Sequence, residues 1–136
     1  MNKNIKSILA IVVMLFAFSP LVALSQQQKA KPWPVPAEFK NKVNPVKATA
    51  ASVADGKEAY KKCSGCHGRT GLGDGPKGKS LDTFPGDFSL ASFQNQTDGE
   101  QFWRTRTGRD EMPGYEGKLT DEEIWSVVNY MRTFKK

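Results

Sequence analysis

Both cysteines and the only histidine of this 136-residue chain fall within five consecutive residues, Cys63-Ser64-Gly65-Cys66-His67. Two cysteines three apart, with histidine directly after, form the attachment signature of c-type haem. Each thiol can add across one haem vinyl group to form a thioether, and the short spacing points both sulfurs at one edge of a single porphyrin. The next residue is then held beneath the metal, where an imidazole nitrogen can bind iron axially. The rival readings lack their partners. A thioredoxin-like disulfide site wants a strand–helix context within a βαβ unit, and no strand signal is seen. A tetrahedral zinc site would need a fourth ligand from a carboxylate, which structural sites rarely use. The motif therefore assigns one haem c to Cys63, Cys66 and His67.

The length leaves room for one domain and little more. Residues 1–25 read as a signal peptide. Lys3 and Lys6 make a basic start, Ile8 to Phe18 is an unbroken apolar run, and Ser19-Pro20 interrupts it. Ala23-Leu24-Ser25 then puts small residues at both positions that a signal peptidase reads, so cleavage is expected between Ser25 and Gln26. A retained membrane anchor is the other reading, because the segment through Leu24 has 17 residues, the lower edge of a bilayer span. The mature chain would be small for an apolar core of its own, and a covalent haem supplies a plate for side chains to pack around.

The formal charge of +6 falls to +4 without Lys3 and Lys6, and it is uneven. Residues 26–72 carry nine Lys/Arg against three Asp/Glu, whereas residues 73–136 carry nine against eleven. A basic side suggests steering toward acidic partners; an ordinary soluble surface is the bland alternative. The basic residues are not in dense runs, and no nucleic-acid partner is expected.

Residues 26–50 form a proline-rich arm. Pro32, Pro34, Pro36 and Pro45 oppose helix. Trp33, Val35 and Phe39, interspersed among them, suggest an arm lying against the domain near a haem edge, with an exposed docking arm as the competing reading. The domain proper should occupy 51–136. Its first helix is expected from Ser52, as N-cap, toward Lys62, with Val53, Ala59 and Tyr60 inward. The glycines from Gly68 to Gly78 argue against regular structure, and their use is expected to be close approach to a haem face. Thr97-Asp98-Gly99-Glu100 reads as a capping box for a helix that Gly108 ends. Thr120-Asp121-Glu122-Glu123 opens another, with Ile124, Val127, Val128, Met131 and Phe134 at helical spacing.

A second axial ligand must be sought outside histidine. Met1 and Met14 go with the signal peptide, which leaves Met112 and Met131. Met131 sits on the apolar stripe of the last helix, where core filling explains it. Met112 lies in a loop before Pro113, which biases it to extended geometry and suits a sulfur aimed at iron. A loosely packed surface methionine is the alternative.

These motifs together resemble the class I c-type cytochromes, particularly small single-haem bacterial ones. The resemblance covers about residues 52–136. It rests on Gly56-x-x-x-Tyr60 before the haem motif, Gly71-x-Gly73-Asp74-Gly75-Pro76, Thr97-Asp98-Gly99-Glu100-x-Phe102-Trp103, Gly108-x-x-x-Met112-Pro113, and the last helix with Trp125 and Tyr130. It implies an all-α fold of three to five short helices around one covalent haem, with Gly56 and Tyr60 meeting Val127 and Tyr130. It implies that a proline carbonyl, with Pro76 as candidate, orients His67, and that His67 and Met112 bind the iron. One departure is that only two residues separate Tyr60 from Cys63, where relatives often have three.

The resemblance further implies an electron carrier and no enzyme, working in a respiratory or periplasmic redox chain after export. Redox proteins with acidic docking surfaces are the expected partners. Membrane contact would come only through partner complexes or an uncleaved signal anchor. The rival function is a haem-c peroxidase or gas sensor with an open distal site. It wants a distal acid–base group, for which Arg109, Asp110 and Glu111 make only a weak case.

Overall fold

The computed structural model describes residues 32–136; the expected signal peptide and the polar residues 26–31 lie outside the described residues. Trp33–Lys136 forms one compact unit. Its elements are α1 (Ala37–Lys40), α2 (Ala50–Tyr60), α3 (Ser64–His67), a 3-10 turn (Gly78–Ser80), α4 (Ala91–Gln94), α5 (Asp98–Thr107) and α6 (Asp121–Arg132). No β-strand occurs among the described residues, only two isolated bridges. The fold is all-α, as the motifs imply. Six α-helices are present where three to five were expected. The surplus is α1, α3 and α4, each a single turn of four residues, too short to leave a periodic signal.

The three longer helices begin at capping boxes. Thr97 with Glu100 opens α5, and Thr120 with Glu123 opens α6, both as expected. The start of α2 differs. Thr49, not Ser52, is its N-cap, and Ser52 sits three residues later, its hydroxyl oxygen accepting from the Thr49 N–H at 3.0 Å. Two hydroxyl residues competed for one role, and Ser52 is drawn inward by a second bond to the Lys47 carbonyl at 2.7 Å.

The framework is the crossing of α2 and α6. Gly56 faces the backbone of α6, where a Cβ would overlap the Ser126 carbonyl. The glycine therefore allows two helix backbones to touch. Tyr60 packs edge-on against Tyr130, with ring centroids 5.3 Å apart, and against Phe134 at 5.4 Å. The glycine–aromatic contact is thus made despite the short Tyr60–Cys63 spacing. Ile124, Val127, Val128 and Met131 are buried on the inner face of α6. Phe102 of α5 stacks on Trp125 at 4.0 Å. Arg132 binds Asp98 and the carbonyls of Gln94 and Gln96, tying the end of α6 to the start of α5.

The proline-rich segment from Trp33 onward is part of this unit. It carries one helical turn, α1, despite its prolines, because Pro36 stands before the turn, where no N–H is needed. Phe39 stacks on Phe102, and a Cβ on Gly99 would overlap the Phe39 carbonyl. Asn44 and Asn129 bind each other at 2.9 Å and also reach the Trp125 and Val46 carbonyls. The segment lies against the domain.

Candidate haem site

The end of α2 delivers the chain into α3. The N–H groups of Cys66 and His67 both donate to the Cys63 carbonyl, at 3.1 and 3.0 Å. Residues 63, 66 and 67 are then related as i, i+3 and i+4, the relation that places side chains on one face of a helical turn. One turn of backbone thus brings the three expected residues together. Gly68 ends it with φ of 78°, and its carbonyl accepts from the Tyr60 hydroxyl at 3.1 Å. The aromatic contact between α2 and α6 therefore also fastens the far end of α3, a link that the sequence spacing did not reveal.

The glycine-rich loop wraps back over α3. Gly73 N–H donates to the His67 carbonyl at 2.8 Å, Gly75 to Cys66 at 3.2 Å, and Lys77 to Gly65 at 2.8 Å. These bonds satisfy carbonyls that a one-turn helix leaves open. A Cβ on Gly75 would strike the carbonyls of Ser64 and Gly65, and one on Gly78 the carbonyl of Cys66. The closest approaches of these two glycines are to α3 itself, a different use from the expected close packing on a haem face.

His67 is buried at 9% exposure, and its ring lies 4.5 Å from that of Phe88, which stacks in turn on Phe93. Burial lowers its pKa to about 4, opposed by the backbone of Pro85. The imidazole is therefore neutral at pH 7, with a lone pair available for a metal. Nδ1 has no hydrogen bond of good geometry. The backbone that opposes the shift belongs to Pro85, nine residues beyond the expected Pro76, which is exposed, and neither proline carbonyl pairs with Nδ1. A single sequence held both prolines, and only the path of the loop separates them.

Both thiols are free. Burial pushes the Cys63 thiol up to about 11, moderated by a hydrogen bond from Tyr115. The Tyr115 hydroxyl also donates to the Lys62 carbonyl at 3.0 Å, and burial raises its own pKa. A redox Cys-x-x-Cys site lowers a thiol pKa to make a thiolate; here Cys63 is held protonated. Among the described residues no three His, Cys, Asp or Glu side chains converge on a point that could hold a metal ion. A protein-only zinc site is therefore not built here. Two reduced sulfurs, one buried and one half-buried, and one neutral, buried imidazole with an unpaired Nδ1 on a single turn fit haem c.

Met112 lies on a separate turn. Arg109 and Met112 exchange backbone hydrogen bonds, at 2.8 and 2.9 Å, closing Arg109–Met112 into a tight loop. Met112 is half-buried and Pro113 exposed. Glu111, beside the methionine, accepts from the N–H groups of Asp82 and Thr83 at 3.3 and 3.2 Å. That bond pair ties the Met112 turn to the segment leading into Pro85. Met131, by contrast, is 4% exposed within the core of α6, as expected. Tyr115, Phe88, Pro85 and Glu111 all shape the site without a legible signal, because each acts through a contact distant in sequence.

Three comparisons bear on this geometry. The family model described as cytochrome c matches residues 53–135. No curated protein matches the chain. Among solved structures, a chain of the Kuenenia stuttgartiensis reducing HAO-like protein complex Kustc0457/Kustc0458 is similar, with 25% identity and a TM-score of 0.64 over 78% of this chain and 52% of that one. This chain thus spans about half the length of that relative. The KustC0563 c-type cytochrome is 32% identical with a TM-score of 0.53, over 60% of this chain and 99% of that one.

Proposed function

This chain belongs to the cytochrome c family, and from that premise we propose that it is a single-electron carrier with His67 and Met112 as the two axial ligands of its one haem c. The covalently attached haem supplies a one-electron Fe(III)/Fe(II) couple, whose potential a thioether ligand raises. The chain's residues do the rest. Cys63 and Cys66 tether the group through two thioethers. Burial keeps His67 neutral, and the Pro85 backbone helps set the ring's orientation. Phe88, Phe93 and Tyr115 provide an apolar wall that excludes water. With His67 and Met112 both bound to iron, no coordination position would be left for a substrate.

The observation that carries this reading is the Arg109–Met112 turn. Met131 is committed to the core, whereas Met112 stands half-buried on a closed turn that Glu111 ties toward the His67 side. We place the carrier in the periplasm, exported by residues 1–25, in a respiratory or other redox chain. Its basic half, residues 26–72, would meet redox partners with acidic surfaces. A second reading is favoured by the likeness to a subunit of a redox complex: the carrier would work as a docked subunit of a larger assembly. The particle size of natively purified protein separates the two.

Met112→Ala tests the ligation. The expected outcome is loss of the sulfur-to-iron charge-transfer band of the oxidised protein, a lower reduction potential, and carbon monoxide binding where the parent resists it. Met131→Leu should keep the band with a modest stability change, about 1 kcal/mol, as for a volume-conserving swap. A band that survives in Met112→Ala and vanishes in Met131→Leu overturns the assignment.

A further inference from the structure

We propose that Trp33, in the proline-rich segment, is a positioning residue for Met112: its ring holds the side chain of Arg109, and Arg109 closes the turn that carries Met112. The consequence for iron rests on the Met112 ligation proposed above; the hold on the turn does not.

The Arg109 guanidinium lies 4.5 Å from the centroid of the Trp33 ring, well within cation–π range. Trp33 is itself fastened to α5, since Arg104 donates to its carbonyl at 3.1 Å and lies 5.8 Å from the same ring. The residue thus joins a rigid helix to the turn that follows it. Arg109 is a suitable handle. Its N–H donates to the Met112 carbonyl, and its own carbonyl accepts from the Met112 N–H. A shift of Arg109 therefore moves the backbone of Met112 directly.

The turn needs outside support. Asp110 has φ of 49°, alone in the left-handed region among the described non-glycine residues, a conformation that costs about 1–2 kcal/mol. Gly108 lies so close to the carbonyl of Met112 and the N–H of Gly114 that a Cβ would strike both. The turn therefore closes on its own backbone, and none of its side chains belongs to the core around α6. Backbone bonds from Tyr115 to the Thr105 and Arg106 carbonyls hold its base on α5, and side chains at its edges fix the rest. Glu111 reaches Asp82 and Thr83 on one side, and Arg109 reaches Trp33 on the other. Trp33 lies outside residues 53–135, the part matched by the family model, so this hold is an addition to the shared core.

The test uses the exported, haem-loaded protein and reads amide exchange at Arg109 and Met112 against Val127 and Val128 of α6. Trp33→Ala should speed exchange at the turn about fivefold, the weight of one partly exposed cation–π contact, and leave the α6 amides unchanged. Trp33→Phe keeps an aromatic face and should return the turn close to the parent. Arg109→Gln removes the same contact and also the Asp110 ion pair at 3.5 Å, so it should speed the turn at least as much as Trp33→Ala, and the double variant should fall short of the product of the two single effects because the Trp33–Arg109 contact is shared. If Trp33→Ala yields no loaded protein, Arg109→Gln and Trp33→Phe carry the same comparison. Unchanged exchange, an equal change in α6, or additive effects in the double variant overturns the proposal. In the oxidised parent the sulfur-to-iron band is read separately. Where it is present, added imidazole should displace it at about fivefold lower concentration in Trp33→Ala than in the parent, the same factor. A parent without the band removes the Met112 ligation, while the exchange data still decide the hold on the turn.

Discussion

The two turns proposed to ligate the haem iron, that of His67 and that of Met112, are held in different ways. The His67 side is built on regular structure: α3 leaves the end of α2, its carbonyls are closed by Gly73, Gly75 and Lys77, and Tyr60 anchors its last residue to the α2–α6 crossing. The Met112 side is a four-residue turn with two backbone bonds of its own and side-chain ties at its edges. The first should share the stability of the core, while the second should open locally at lower cost. A carrier of this design should lose its methionine long before its histidine when conditions turn adverse.

The largest effect should come from removing the first side altogether. Cys63→Ala with Cys66→Ala should abolish covalent haem and leave little folded protein, because the helices lose the plate they pack against. Recovery of a stable helical, haem-free domain, seen by circular dichroism, would break the comparison at its root. Gly56→Ala strikes the same side through its framework. The new methyl meets the Ser126 carbonyl, a backbone atom that gives way only if the helices part. A loss of about 2–3 kcal/mol is expected in denaturant titration, with the spectrum of surviving protein unchanged. A neutral result would show that the crossing can relax.

Glu111→Ala sharpens the other half. It removes the acceptor for Asp82 and Thr83, and the turn should open about fivefold more often, roughly 1 kcal/mol. Global unfolding should barely move. Equal loss at the turn and in α6 would mean that the two sides are not independent. The smallest effect concerns the surface. Electron transfer to the natural partner should slow about tenfold from low to physiological ionic strength, as exposed charge in residues 26–72 is screened. A rate independent of salt favours the permanently docked subunit.

Much of the site was legible because its chemistry is local. Cys63, Cys66 and His67 declare themselves by spacing alone, and one helical turn is all that is needed to assemble them. The capping boxes of α5 and α6 and the stripe of α6 are local too, which is why both starts match, although α6 stops at Arg132, before Phe134. The start of α2 went astray because Thr49 and Ser52 are both good caps, and the choice between them depends on a distant partner, Asn129, which binds Ser52 at 3.3 Å. The backbone beside His67 is that of Pro85 and not of Pro76 for a similar reason, since the glycine loop closes on α3 before it reaches the imidazole.

By itself the sequence determined the cofactor, the all-helical class and the choice of Met112 over Met131 as the candidate sulfur. Each follows from residue type and short-range periodicity, which a linear reading can see. Tertiary structure alone decided how that sulfur is held. Trp33 meets Arg109, and Glu111 meets Asp82 and Thr83, across separations that no spacing rule covers. The physical reason is that a turn without a buried face of its own must take its position from whichever side chains the rest of the fold brings beside it.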